Sequence, residues 1–539
     1  MRSGLLALPS RHVGIALAAA HFCLGLLVTL DPRSTHDEGL LMYGFSRALG
    51  DAFLPCFFFQ KLKPALALVY LPFASLGLGA YLVAHLAVAS AAVALVHATA
   101  RALGHERPWV PALVVALSPL YTWSGLVGVS NSDGVAAIAL FLYLLVARKS
   151  LLGAGLVLGV LPWIRYECAV FSVVLALYVF YRHRSRVFLA GCAAWPLAYL
   201  ASGALYHRDI LWFLHYMPNV SKLTPDNPVW MGEFARHDIG TGVLALAMVS
   251  PAVFFLLLVR RSRLVGVEKA LGAFTAVFFG LFLATHVSPR DIGPAFALGF
   301  SSRYAVVPVI AVGLLLGRAL EALEREAAPR LRDTAAAAAL LGLGWLLRTR
   351  GLVAPLWAAA STGALVAASR GGATRLALAS VITLLVGLPW SFRETLVQAF
   401  PMRDEKLDQA ASWLEANRGA IGAEIYTNHK MLGPYLARTG RLAGVRVRFM
   451  LAADHYYELV HLTNDANGQR DAVIDVVPRA VFGDVVMPDA LLPSKVPAGT
   501  TFVLIDDART KLILPPETWA SRLSPLYATR GFSVSNLAP

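Results

Sequence analysis

Two adjacent carboxylates, Asp37 and Glu38, follow Asp31 and His36 just after the first long apolar run of the sequence. Charges so near lipid are costly unless they are solvated or used. A carboxylate in this place could take or polarise the proton of an acceptor hydroxyl or amine, a poor nucleophile until something does so. Lys61 and Lys63 come later in the same loop, ahead of Pro64. Cations there could stabilise a leaving phosphate as its charge develops. A carboxylate and cations together at a membrane surface are what transfer of a sugar from a lipid phosphate would require. Each group also has an ordinary reading: the acidic pair as a solvated loop end, the lysines as headgroup anchors with their stems along lipid.

Three more groups reach the same side in the topology set out below. Asp133, in Ser130-Asn131-Ser132-Asp133, opens an apolar run; its ordinary reading is a helix N-cap. Arg165, in Trp163-Ile164-Arg165-Tyr166-Glu167, sits at a tight turn between two runs; its ordinary reading is a local pair with Glu167. Arg303-Tyr304 opens another run, where an interfacial anchor is the ordinary reading. Convergence on one face favours the functional reading over five separate coincidences. His215 and His237 are read as loop residues, and Asn219-Val220-Ser221 as a chance match to a glycosylation acceptor.

The elements that must position these groups are membrane helices. Of 539 residues, 57% are hydrophobic and 15% charged, against roughly 25% charged in a soluble domain. Mean hydropathy is +0.61. The net charge of +14 lies in short clusters between apolar runs. That is how a membrane protein fixes its orientation, and it argues against nucleic acid as a partner. The run Val13 to Leu30 has no small-residue cleavage site after it and reads as an uncleaved first span with its N-terminus in the cytoplasm. Cys23, Cys56, Cys168 and Cys192 match neither a metal site nor a disulfide framework.

Basic clusters at Arg101 with Arg107, Arg148-Lys149, Arg182 to Arg186, Arg260 to Arg263, Arg318 to Arg332 and Arg370 to Arg375 mark the cytoplasmic side. Pairing the spans between them gives Tyr81 to Ala100, Trp109 to Trp123, Gly134 to Ala147, Leu151 to Trp163, Cys168 to Tyr181, Val187 to Tyr206, Gly242 to Val259, Ala270 to Thr285, Tyr304 to Leu316, Thr334 to Leu347, Val353 to Ala368 and Leu376 to Trp390. About thirteen helices result. The apolar stretch Pro64 to Gly79 reads as a helix on the outer membrane surface, with an extra hairpin as its rival. After Trp390 charged residues become frequent. Asp404 to Arg418 has helical spacing, and Glu424 to Tyr426, Ala472 to Val477 and Thr501 to Ile505 are strand-like. The expectation is a polytopic α-helical membrane domain over residues 1–391 and a small extracytoplasmic α/β domain over 392–539, without a Gly-rich nucleotide loop.

The order Asp37-Glu38, Gly39 to Leu49, Gly50-Asp51, Lys63-Pro64, then Asp133, Arg165 and Arg303-Tyr304 with Pro308, resembles the GT-C superfamily of polyprenyl-phosphate-sugar transferases. The likeness is to its protein O-mannosyltransferases and the bacterial enzymes that move aminoarabinose onto lipid A, and it covers roughly Val13 to Trp390. The family often has a second Pro after the Lys-Pro pair; Ala65 stands there. The resemblance implies a catalytic carboxylate at Asp37 supported by Glu38, donor-phosphate contacts from Lys63, Arg165 and Arg303, and a cavity lined by Asp133 and Tyr304. It implies a polyprenyl-phosphate sugar donor, a protein, lipid or glycan acceptor, and a bacterial inner membrane with the C-terminal domain periplasmic. No cofactor is firmly implied, and a divalent metal stays possible. A multi-pass transporter or lipid flippase and a surface-polysaccharide polymerase or ligase are the alternatives.

Overall fold

The computed structural model describes residues 10–29, 37–51, 53–58, 63–165, 168–215, 264–287, 306–325, 405–429, 432–450, 484–486, 496–505, 522–529 and 532–537. The helices in the first part of the chain are α1 (Ser10–Thr29), α2 (Asp37–Asp51), α3 (Phe53–Phe57), α4 (Pro64–Ser75), α5 (Leu78–Ala102), α6 (Trp109–Ala116), α7 (Pro119–Leu126), α8 (Asn131–Leu142), α9 (Leu151–Ile164), α10 (Ala169–His183), α11 (Arg186–His207), α12 (Trp212–His215), α13 (Gly266–Val287) and α14 (Val309–Arg325). Three helices among the described residues are long and apolar enough to cross a membrane: His12–Thr29, Leu78–Ala102 and Arg186–His207. The chain is thus a helical membrane protein. The runs expected at Tyr81, Leu151, Cys168, Val187 and Ala270 appear as α5, α9, α10, α11 and α13. Those expected at Gly242, Thr334, Val353 and Leu376 lie outside the described residues, so the count of thirteen stays an expectation.

Two spans depart from the expected bounds. Trp109 to Trp123 is not one helix: it breaks between α6 and α7 at Pro119. A proline disfavours helical backbone in the residue before it, and Ser118 is extended there (φ −66°, ψ 116°). The run expected from Tyr304 to Leu316 is helical from Val309 and continues to Arg325.

The chain divides into two compact units, Met1–Leu27 with Ala84–Ser202 and Leu223–Phe400, and Val28–Val83 with Gly203–Lys222 and Pro401–Pro539. In the first, glycines set the closest helix contacts. Gly155 and Gly159 of α9 lie against the backbone carbonyls of Phe188 and Cys192 on α11, where a side chain has no room. Apolar helices associate through such small residues because lipid offers no hydrophobic gain for bringing them together. Phe171 of α10 meets Phe274 of α13 edge to face at 5.0 Å. In the second unit, α2 and α4 pack together, and Tyr43 and Tyr70 both rest on Tyr81, at 5.8 and 5.3 Å. Phe58 stacks on Tyr206 at 4.8 Å.

The second unit also holds an α/β domain made of α15 (Glu405–Ala416), β1 (Glu424–Thr427), α16 (Leu432–Thr439), β2 (Arg446–Met450), β3 (Asp484–Val486), β4 (Thr501–Ile505), β5 (Leu523–Ala528) and β6 (Phe532–Leu537). The sheet order is β3-β2-β1-β4-β6-β5. The first four strands run parallel, with Ile425 opposite Val447 and Thr501; β6 joins β4 and β5 antiparallel. Leu407, Ala410, Ala411 and Leu414, spaced as one helix face, bury against Ile425, Val503 and Val534. The expected helix and two of the expected strands are therefore α15, β1 and β4; Ala472 to Val477 lies outside the described residues. Arg438, in the last turn of α16, donates to the carbonyl of Thr29 at 3.1 Å, at the C-terminal end of α1. A cation is favoured there, where helix carbonyls lack partners.

Candidate buried polar site

The N-terminal turn of α8 gathers polar groups inside an otherwise apolar bundle. Ser130, Asn131 and Ser132 are fully buried and Asp133 is 4% exposed. Asp133 is not the N-cap: Ser130 precedes the helix, and Asp133 lies in its first turn. Its carboxylate Oδ2 is 2.7 Å from Nε2 of His85, on α5, which is 1% exposed. A buried carboxylate needs such a partner, because losing water without one costs several kcal/mol. Ser132 donates its hydroxyl to Val129 O at 3.0 Å and lies 3.5 Å from the other ring nitrogen of His85.

Arg165 joins the same turn. It ends α9 with extended backbone (φ −151°, ψ 124°) and donates from Nη1 to Ser130 Oγ at 2.9 Å. Gly134 makes this possible. A Cβ there would stand 3.0 Å from Cys168 Sγ and 3.3 Å from Arg165 Cγ, so the arginine stem lies directly over the glycine. Arg165 thus bonds Ser130; Glu167 lies outside the described residues. The structure brings Asp133 and Arg165 to one turn of one helix.

Lys63 belongs to the second unit. It caps α4 ahead of Pro64 in the left-handed conformation (φ 52°, ψ 67°) and is half-buried. A non-glycine residue there is uncommon, and such outliers collect at functional sites. Its carbonyl accepts from Leu66 and Ala67 and starts the helix. Asp37 and Glu38 occupy the first turn of α2, and their side chains lie outside the described residues. So do Lys61, Arg303, Tyr304, His237 and the side chain of His215.

A second buried cluster lies where α5, α13 and α14 end. Glu268, fully buried, reaches back to the backbone N–H of Val265 at 2.9 Å and closes the first turn of α13. It accepts from Arg318 Nε at 2.8 Å and from His105 Nε2 at 3.1 Å. Glu321 accepts from Arg318 Nη1 at 2.9 Å and from the N–H of Glu106 at 2.7 Å, and lies 3.5 Å from His105 Nδ1. Arg318 also donates to the carbonyls of Leu103 and Gly104. Burial pushes His105 toward its neutral form, but hydrogen bonds to Glu268 and Glu321 outweigh that and raise it above the usual histidine value. Glu321 lies beyond the apolar part of α14. Burial would raise it, yet His105, the Arg107 N–H and Arg318 together hold it down to about 2. Arg318 is thus turned into a four-residue network, a role its place in a basic cluster did not suggest. Among the described residues no three His, Cys, Asp or Glu side chains are grouped to hold a metal ion.

Two solved structures are similar to this chain: crystal structures of ArnT from Cupriavidus metallidurans, one bound to undecaprenyl phosphate and one in the apo state. Each is 14% identical, with 97% of both chains covered and a TM-score of 0.48. No protein-family model matches, and no curated protein matches.

Sequence reasoning missed His85, His105, Glu268 and Glu321. A histidine inside an apolar span is itself a signal, since ionisable groups at that depth are expensive; His85 stands within the predicted run Tyr81 to Ala100. The other three sit at span ends, where the sequence offers no sign of which charges turn inward.

Proposed function

We propose that the chain is a membrane glycosyltransferase that moves a sugar from a polyprenyl-phosphate carrier to a protein, lipid or glycan acceptor at the outer face of a bacterial inner membrane. The acceptor oxygen or nitrogen attacks the anomeric carbon, and the bond from that carbon to the phosphate oxygen breaks. The phosphate leaves with the electron pair, and Asp37 takes the acceptor's proton. Glu38 supports Asp37, while Lys63, Arg165 and Arg303 meet the phosphate and Asp133 and Tyr304 line the cavity. The catalytic part is residues 1–391, and 392–539 form a periplasmic domain.

The observation that carries this reading is Lys63. It stands directly ahead of an apolar helix, at the end where the helix dipole favours an anion. The helix that opens on Asp37-Glu38 packs against that same helix. Arg438 on Thr29 supports the topology, because it fastens the α/β domain to the end of α1 from which the Asp31 to Lys63 loop departs.

The test is transfer from a labelled polyprenyl-phosphate sugar by the full chain in membranes. Asp37→Asn is expected to abolish transfer while the protein still inserts and accumulates. Normal turnover in that variant removes Asp37 from its role, and no transfer by the wild type removes the enzyme.

A second reading, a multi-pass transporter or lipid flippase, is favoured by the break between α6 and α7 and by the ionisable pair His85–Asp133 within the bundle. Movement of a labelled lipid across vesicles without cleavage of its sugar would select it.

A further inference from the structure

Two turns of the first unit are built alike and carry five exposed cations. Arg148 and Lys149 lie ahead of α9; Arg182, Arg184 and Arg186 lie where α10 gives way to α11. Lys149 and Arg184 are both left-handed, with φ 53° and 46°. A serine follows each. Ser150 Oγ accepts from the Gly153 N–H at 3.3 Å, and Ser185 Oγ from the Phe188 N–H at 3.2 Å. The two helices that start there run side by side in the same direction: Gly155 lies against the Phe188 carbonyl and Gly159 against that of Cys192. The turns therefore stand level at one end of the bundle.

Local structure does not account for all this charge. A helix end favours the cations at Lys149 and Arg184, but the dipole disfavours Arg186, which opens α11. The stretches 143–153 and 178–190 hold no Asp or Glu to offset the repulsion. Orienting a chain in a bilayer requires basic turns, but not two of them side by side. Apolar side chains lie next to the cations: Leu152 of α9, Leu177 and Phe180 of α10 and Val187 of α11 are all exposed. An anion with an apolar tail meets both features. A free phosphate or a soluble acidic protein meets only the cations.

We propose that the paired turns at Lys149-Ser150 and Arg184-Ser185 form a docking surface for an anionic phospholipid whose headgroup carries two phosphates, one at each turn. Its acyl chains lie along the exposed faces of α9, α10 and α11. Packed helices lie roughly 8–10 Å apart, a gap that two phosphates of one headgroup bridge and a single phosphate does not. The lipid is held by basic groups between membrane helices at headgroup level. The surface does not depend on sugar transfer.

The test follows the melting midpoint of the full chain in zwitterionic detergent as cardiolipin, phosphatidylglycerol or inorganic phosphate is added at matched phosphate concentration. Cardiolipin is expected to raise the midpoint by several degrees, phosphatidylglycerol by less, and inorganic phosphate not at all. Lys149→Gly/Arg184→Gly removes two cations at positions whose backbone suits glycine, so its midpoint without lipid is expected to match or exceed the wild type. Its apparent affinity for cardiolipin is expected to fall about 30-fold, the scale of two cations at a membrane surface. Arg101→Gln/Arg107→Gln removes as much charge from the turn between α5 and α6 and is expected to keep the wild-type response. The proposal is overturned by a wild type that cardiolipin does not shift, by equal shifts with phosphatidylglycerol or inorganic phosphate, by a glycine variant that responds as the wild type does, or by a control variant that loses the response as fully as the glycine variant.

Discussion

Replacing Arg318 by Met keeps an unbranched stem and removes the charge and every donor. The guanidinium bonds Glu268 at 2.8 Å and Glu321 at 2.9 Å, and it also donates to the carbonyls of Leu103 and Gly104. Glu321 keeps the N–H groups of Glu106 and Arg107 and its contact with His105. Glu268 is the group left in difficulty: it is fully buried, and among the described residues His105 and the Val265 N–H remain to it. Breaking a buried pair on one side costs about 3–5 kcal/mol, because the remaining charge stays buried without compensation. The expected loss is at the upper half of that range, since two carbonyls lose donors as well. The melting midpoint of the detergent-solubilised chain is the assay, with a drop on the order of 10 °C. Arg318→Met/Glu268→Gln removes the stranded charge and is expected to melt above Arg318→Met. A single variant that melts with the wild type, or a double variant that melts below the single one, refutes the argument.

His105 and Glu321 make that stability depend on pH from both sides. His105 is raised, so its contribution is full below about pH 6.5 and is lost as pH rises through its higher folded value. Glu321 is held at about 2, so its contribution is full above the ordinary carboxylate range and is lost as pH falls toward that value. The midpoint is expected to fall on the alkaline side, with that limb flattened in His105→Gln; a wild-type midpoint still rising at alkaline pH contradicts the network. Gly191→Ala places a Cβ 2.8 Å from Leu152 O and 2.9 Å from Leu156 N. Both are backbone atoms, so α9 and α11 must part, at about 1–3 kcal/mol; an unchanged melting midpoint shows that the two helices are not locked there.

The membrane helices were legible because hydrocarbon thickness sets their length, and a run of apolar residues measures that directly. The starts and ends of α5, α9, α10 and α11 lie within a few residues of the expected bounds. The break at Pro119 was equally visible in the sequence, but the hydropathy of the run from Trp109 hid it. In the α/β domain, β-prone apolar runs revealed β1 and β4; the alternation of β6 at Phe532 and Val534 went unread, and β5 is mostly exposed and left no apolar pattern to read. Asp133 and Arg165 were named among the candidates from their places at span ends, and the structure brings Arg165 onto the turn of α8 that holds Asp133. Their partners were not, because His85 and Ser130 act through space between helices far apart in the chain. His105, Glu268, Arg318 and Glu321 show the same limit: each looked like a charge at a span end, and only packing decides which of them turn inward.

The bond from Arg438 to the end of α1 ties the start of the chain to a segment made more than four hundred residues later. During synthesis α1 is made long before Arg438, so the Thr29 carbonyl waits for this bond. The closing contact arrives only after α16 has been made and the α/β domain has folded. A chain cut short before α16 therefore lacks this bond at the end of α1.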